Sequence, residues 1–208
     1  MEICFTGKSG NEGFYKLPGS NKEPGMNKKT VLFLLILSLP FLIFGQEVAE
    51  GELLSYGSRE IEYINYTGPH PFINTAEEIT GIGRELWTGR RRSTAADFFS
   101  AKPGKYSLQR FTPPREGGIF GADLLVLDSG AQVDHIDNLR RIISGYLMES
   151  FGYSFAESLE VAALITRYNT YLRGRIDYFT GRYSGDVLKN LKSESLGLSR
   201  NYMEWPGT

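Results

Sequence analysis

Residues 31–44 are an almost unbroken apolar run, and Met26, Asn27, Lys28, Lys29 and Thr30 lead directly into it. A basic approach to a short apolar core is the pattern of a signal peptide. The run is interrupted by Ser38 and Pro40 and is shorter than the roughly 20 apolar residues a bilayer-spanning helix needs. It is therefore read as a leader. Gly45 is small enough for the position before the cut and Ile43 is tolerable two residues earlier, which puts the expected mature start at Gln46. The site departs from an Ala-x-Ala pattern, and an uncleaved anchor is the alternative. The remainder is expected to fold after export, in the periplasm or on the outer envelope surface. Membrane contact is expected only through the leader, if it is uncleaved.

Residues 1–25 are polar and rich in Gly and Lys, an abnormally long approach to a leader, so they are read as a doubtful upstream extension with Met26 as the expected start. Cys4 is the only cysteine. The body is thus expected to have no disulfide, thiol nucleophile or cysteine metal ligand, and no lipid anchor. Without residues 1–45 the chain keeps 18 basic and 21 acidic residues, a formal net charge of −3. That balance offers no electrostatic footprint for nucleic acid. The expected division is an upstream extension at 1–25, a signal peptide at 26–45, an acidic tether or short first helix at 46–57, and a single domain at 58–208, an ordinary size for one core.

Period-two alternation predicts a strand over 59–66, ended by Gly68, Pro69 and Pro71. Thr75 and Glu78 form a capping box that starts a helix running to about Trp87. Gly81 and Gly83 inside it each cost up to about 1 kcal/mol against Ala, which points to close backbone packing. Residues 89–104 read as a long surface loop, 106–111 as a strand closed by Pro113 and Pro114, and 119–127 as a central strand buried on both faces. From Asp134, the expected cap, the period becomes helical: Ile136, Leu139, Ile143, Tyr146 and Ser150 or Phe151 share a face until Gly152. Ser154 and Glu157 form a second capping box, opening a central helix through Leu172. After Gly174 a third, weaker helix carries Ile176, Phe179, Tyr183, Val187 and Leu191. The expected class is α+β, a small mostly antiparallel sheet packed against a carboxy-terminal set of three helices.

One motif suggests chemistry. Residues 125–131, with Asp128-Ser129-Gly130 after an apolar strand, resemble the active-site turn of retroviral-type aspartic proteases, where two Asp share a proton across a dimer. Such proteases continue into β structure, whereas this chain enters an amphipathic helix. Asp128 and Ser129 also serve as ordinary turn formers. The metal-binding Asp-x-Ser-x-Ser pattern fails at Gly130 and Gln132. His70 and His135 have no companion at metal-ligand spacing and read as loop or cap residues. A triad of Ser129, His135 and Asp134 lacks a nucleophile elbow. Arg90, Arg91 and Arg92 fit a solvated helix end, and the aromatic residues from Tyr146 to Tyr183 fit core packing.

Three blocks carry a family resemblance: Tyr63-Ile64-Asn65-Tyr66-Thr67-Gly68-Pro69 with residues 75–83; Asn138-Leu139-Arg140-Arg141-Ile142-Ile143-Ser144-Gly145-Tyr146-Leu147; and Tyr168-Asn169-Thr170-Tyr171-Leu172-Arg173-Gly174 with Asp177, Tyr178 and Phe179. They resemble, in order, the amino-terminal region of the spirochaetal 83/100 kDa antigen family, best known from Borrelia. Gly197-Leu198-Ser199-Arg200 and Trp205-Pro206-Gly207 resemble the end of that region. The resemblance implies an exported envelope antigen with no enzymatic activity to carry over. Longer members continue into a coiled-coil-like middle and a further carboxy-terminal region, so a truncated gene, a fragment or a short stand-alone relative is expected here. The leading expectation is a non-enzymatic module whose partners are envelope proteins or the missing carboxy-terminal regions of longer relatives. The alternative is an aspartic-type hydrolase using Asp128. No residue is assigned as catalytic, cofactor-binding or metal-binding, and no cofactor is expected.

Overall fold

The computed structural model describes residues 1–5, 50–69, 75–92, 98–100, 104–111 and 122–206. Residues 6–49, with the predicted leader, and His70 lie outside these. Among the described residues, no helix is long and apolar enough to cross a membrane.

The sheet has the order β1-β4-β3-β2, with β1 at Glu2–Phe5, β2 at Phe98–Ser100, β3 at Tyr106–Phe111 and β4 at Ala122–Leu127. All three pairings are antiparallel. Helices α1 (Glu50–Gly57) and α2 (Ala76–Arg92) precede β2, while α3 (Ile136–Phe151), α4 (Phe155–Tyr171), α5 (Ile176–Phe179) and α6 (Gly185–Asn190) follow β4. This is an α+β fold, as the sequence implied.

The pleat of β4 sends alternate residues to opposite faces, and both faces are covered. Leu125 and Leu127, with Tyr106 and Leu108 of β3, join Ile79, Ile82 and Leu86 of α2 and Leu139, Ile142, Ile143 and Leu147 of α3 in one core. Ala122 and Leu124, with Phe111, pack against Phe179, Tyr183, Val187 and Leu191 in a second. α4 joins the two, placing Val161, Ala162 and Ile165 in the first and Tyr168 and Leu172 in the second. Its predicted central place holds.

Both capping boxes form. Thr75 N–H donates to Glu78 Oε2 (2.8 Å) while Glu78 N–H donates to Thr75 Oγ1 (3.3 Å), and Ser154 and Glu157 repeat the pattern at α4. Of the close packing expected at Gly81 and Gly83, that at Gly83 holds. A β-carbon added at Gly83 would collide with the backbone carbonyl of Ile142, and one added at Gly145 with that of Thr80. The two helices thus lie backbone against backbone, with Cβ-free residues at the crossing. Around Gly81 a β-carbon would meet nothing.

Several sequence readings need correction. Among the described residues, 59–66 make no ladder: Ile64 forms one parallel bridge with Asn201, and Asn65 turns into left-handed backbone at φ 59°. Helix α2 continues beyond Trp87 to Arg92, and β2 pairs with β3 inside the stretch read as a loop at 89–104, because long-range ladder bonds are invisible to local composition. The cap of α3 is His135, whose Nδ1 accepts from Asp137 N–H at 3.2 Å; Asp134 lies buried just before it. The third helix breaks into α5 and α6, since Gly181 takes a left-handed φ of 82° and Ser184 caps a new start. Residues 50–57, expected as tether or short helix, form α1, whose Gly57 carbonyl accepts from Arg167 Nη1 of α4.

These packing differences separate Gly81 and Gly83 experimentally. Gly83→Ala is expected to lower the unfolding free energy by about 1–3 kcal/mol through overpacking, whereas Gly81→Ala raises it by up to about 1 kcal/mol through helix propensity. Urea unfolding of the two variants checks this, and equal effects would refute the close crossing.

Candidate functional site

Two clusters of side chains stand out. The first is internal. Asp123, in the centre of the sheet, is 2% exposed. Arg110, its neighbour across the ladder, donates from Nε to Asp123 Oδ1 (2.5 Å) and from Nη2 to Oδ2 (2.6 Å). The Tyr146 hydroxyl of α3 donates to Asp123 Oδ2 (2.5 Å) and accepts from Arg110 Nη2 (2.8 Å). The Arg110 guanidinium also lies 4.8 Å from the Trp87 ring centroid. Burial alone would lower the arginine's pKa, but the hydrogen bonds and charge of Asp123 outweigh it and the pKa is raised. Burial, then the charge of Asp123, pushes the Tyr146 phenol well above its ordinary value. The charged pair and the neutral phenol satisfy one another, which is the condition for keeping such groups inside a core. Sequence reading passed over this network. Its signal was an acid inside an otherwise apolar strand, which demands a buried partner.

The second cluster is at the surface, where residues 63–66 run beside residues 198–205. Ile64 N–H donates to Arg200 O (2.8 Å), and Tyr202 N–H donates to Ile64 O (3.1 Å). Asn65 Nδ2 donates to Asn201 Oδ1 (3.0 Å), and that oxygen also accepts from Met203 N–H. Beneath this seam the Tyr63 hydroxyl shares a 2.9 Å hydrogen bond with Thr170 Oγ1 of α4. Leu198 N–H donates to Asn169 O, and the Trp205 indole donates to Ser199 O (2.9 Å). Tyr63 stacks edge-on against Trp205 and lies 5.7 Å from Tyr202, while Tyr202 stacks on His135 at 5.5 Å. The Tyr202 hydroxyl accepts from Ile136 N–H, which ties the seam to the start of α3. Burial raises the pKa of both Tyr63 and Tyr202.

Above this aromatic floor, the seam leaves apolar groups in solvent. Ile64 is 47% exposed, Tyr66 45% and Met203 59%. Beside them lies an open cleft of about 470 Å³, lined by Ile64, Thr170, Leu198 and Asn201 and edged by Arg173 and Glu204. That edge is itself paired, Arg173 Nη2 donating to Glu204 Oε2 at 2.8 Å.

Asp128 sits half-buried in the turn from β4 towards α3, with Ser129 and Gly130 exposed after it. Asp128 N–H donates to Lys105 O and Ala131 N–H donates to Asp128 O, the pattern of a reverse turn. His135 is drawn into the α3 cap and the aromatic stack, and Asp134 accepts from Asn138 Nδ2. Arg90, Arg91 and Arg92 close α2. Among the described residues no group of three or more His, Cys, Asp or Glu side chains is arranged to hold a metal.

Fold and site together define an α+β domain locked by a buried Arg–Asp–Tyr network and closed by an aromatic seam. The chain belongs to the Borrelia P83/100 antigen family: the family model described as Borrelia P83/100 protein matches residues 52–208. Neither a curated protein nor a solved structure matches it. The matched span contains both sides of the seam, so blocks widely separated in the sequence meet at one place.

Removing one member of the internal network leaves the other buried and unpaired. Arg110→Met is expected to destabilise the domain by about 3–5 kcal/mol, and Arg110→Met with Asp123→Leu together by much less. Denaturant unfolding of the single and double variants decides whether the network acts as one unit.

Proposed function

We propose that this chain is an exported envelope antigen module with a non-enzymatic, protein-binding role, and that it binds through the seam formed by residues 63–66 and 198–205. The observation that carries this reading is the exposed trio Ile64, Tyr66 and Met203 on a rigid aromatic floor. Aromatic residues and methionine are enriched where proteins bind one another, a tyrosine because its rigid ring loses little entropy when covered and a methionine because its flexible thioether adapts to the partner. Ile64 is held by backbone bonds to Arg200 and Tyr202, Met203 N–H by the Asn201 side chain and Tyr66 by its ring contact with Tyr202, so the trio is organised before a partner arrives. The leader-like residues 26–45 support export, with the mature chain starting at Gln46. Membership of an antigen family agrees with an envelope location.

The partner is a second envelope protein that covers the seam. Two measurements test the reading in cells that produce the protein. Amino-terminal sequencing combined with protease treatment of intact cells is expected to find a product starting at Gln46 outside the cytosol. A photoreactive amino acid at Met203 or Tyr66 is expected to form a defined protein adduct, whereas one at the exposed Phe155 of α4 forms none. Full-length protein in the cytosol would overturn export, and equal labelling from all three positions would overturn the assignment of the seam.

A further inference from the structure

The segment Glu2–Phe5 precedes the leader-like run, yet it occupies the edge of the sheet. It pairs antiparallel with β4, Glu2 opposite Val126 and Phe5 opposite Asp123, and Leu127 N–H donates to Met1 O. On its other side Glu2 N–H donates to Ser195 O (2.8 Å) and Gly197 N–H to Glu2 O (2.7 Å). The Glu2 carboxylate accepts from Lys192 N–H at 3.2 Å, and the Ile3 side chain is fully buried in the main core. β1 is therefore an interior strand in all but name, bonded on one side to β4 and on the other to the segment from Lys192 to Gly197.

A leader inserts with its basic end left on the cytoplasmic side. Residues 1–5 precede that end, so in an exported chain they stay behind while the body crosses. If translation starts at Met26 they are never made. Both routes give the same exported body, with a slot lined by the backbone of β4 and of residues 192–197 and with an apolar socket at the position of Ile3. An open strand edge beside an unfilled socket is a template for another extended segment.

We propose that this slot is a strand-acceptor site. In the exported body it takes an extended segment of a partner protein that carries an acidic residue followed by a β-branched apolar one. The register follows from the seated strand: the acid meets the Lys192 amide, the branched side chain fills the socket against Leu125, and the backbone bonds to both walls. This inference rests on the export reading and concerns a face built from different residues than the seam.

The probe is a fluorescent peptide of residues 1–8, titrated by anisotropy into the chain starting at Gln46 and into the full chain. The chain from Gln46 is expected to bind one peptide. A peptide with Ile3→Asp is expected to bind roughly tenfold more weakly or worse, since a carboxylate would be buried without a partner. The full chain is expected to leave the peptide free, its slot being filled in cis, while the full chain carrying Ile3→Asp binds it. Should the chain from Gln46 be unfolded alone, a gain of circular dichroism signal on adding the peptide supports the proposal equally. Absence of both binding and folding overturns it, as does equal binding of the two peptides or equal binding by the full chain. Amino-terminal sequencing judges export separately, so a cytosolic product with an intact slot would fail the export reading and leave the acceptor measured.

Discussion

The crossing of α2 and α3 is the constraint on which the rest of the structure depends. Gly83 faces the Ile142 carbonyl and Gly145 faces that of Thr80, so neither helix carries a side chain where the two backbones meet. At that separation Trp87 of α2 and Tyr146 of α3 lie edge to face, 6.0 Å between ring centroids. Both then reach β3 and β4, Trp87 under the Arg110 guanidinium and Tyr146 against Asp123. A bulkier crossing would lift the two helices apart and take the phenol from the buried carboxylate. The helix pair and the charged pair in the sheet are thus one arrangement, in which apolar contact supplies most of the stability and the network fixes how the layers register.

The same logic extends outward along α3 and α4. The start of α3 is held by His135 as cap and by the Tyr202 hydroxyl, and His135 stacks on the Tyr202 ring. α4 presents Asn169 and Thr170 to Leu198 and Tyr63. The seam therefore grows from α3 and α4, both part of the core, which is why its exposed side chains sit on a fixed support. The apolar groups it leaves exposed are few, Ile64, Tyr66 and Met203, and lie beside the cleft edged by Arg173 and Glu204.

Local rules made much of this legible in the sequence. Thr75 with Glu78 and Ser154 with Glu157 announced their helix starts because a capping box is complete within four residues. Strand β3 has the bounds expected, because the closing prolines Pro113 and Pro114 act locally, and the class follows from the order of elements. The misses share the opposite property. β2 exists through its pairing with β3, and residues 59–66 are held by the bridge of Ile64 to Asn201 and by side-chain contacts such as Tyr63 with Thr170. Asp123 was visible as an acid in an apolar run, but nothing adjacent in sequence said that Arg110 and Tyr146 would surround it. Tyr63, Tyr202 and Trp205 looked like separate aromatic residues until the fold brought them together.

The central claim is that the seam and the helix crossing belong to one cooperative unit. Native-state hydrogen exchange tests it most directly, comparing the amides of Ile64, Leu198 and Tyr202 with those of Leu108, Leu125 and Ile143. A single unit predicts that both sets exchange through the same opening and respond alike to added denaturant. Seam amides that open freely while the core set stays protected would contradict it, because the exposed side chains would then stand on a mobile flap.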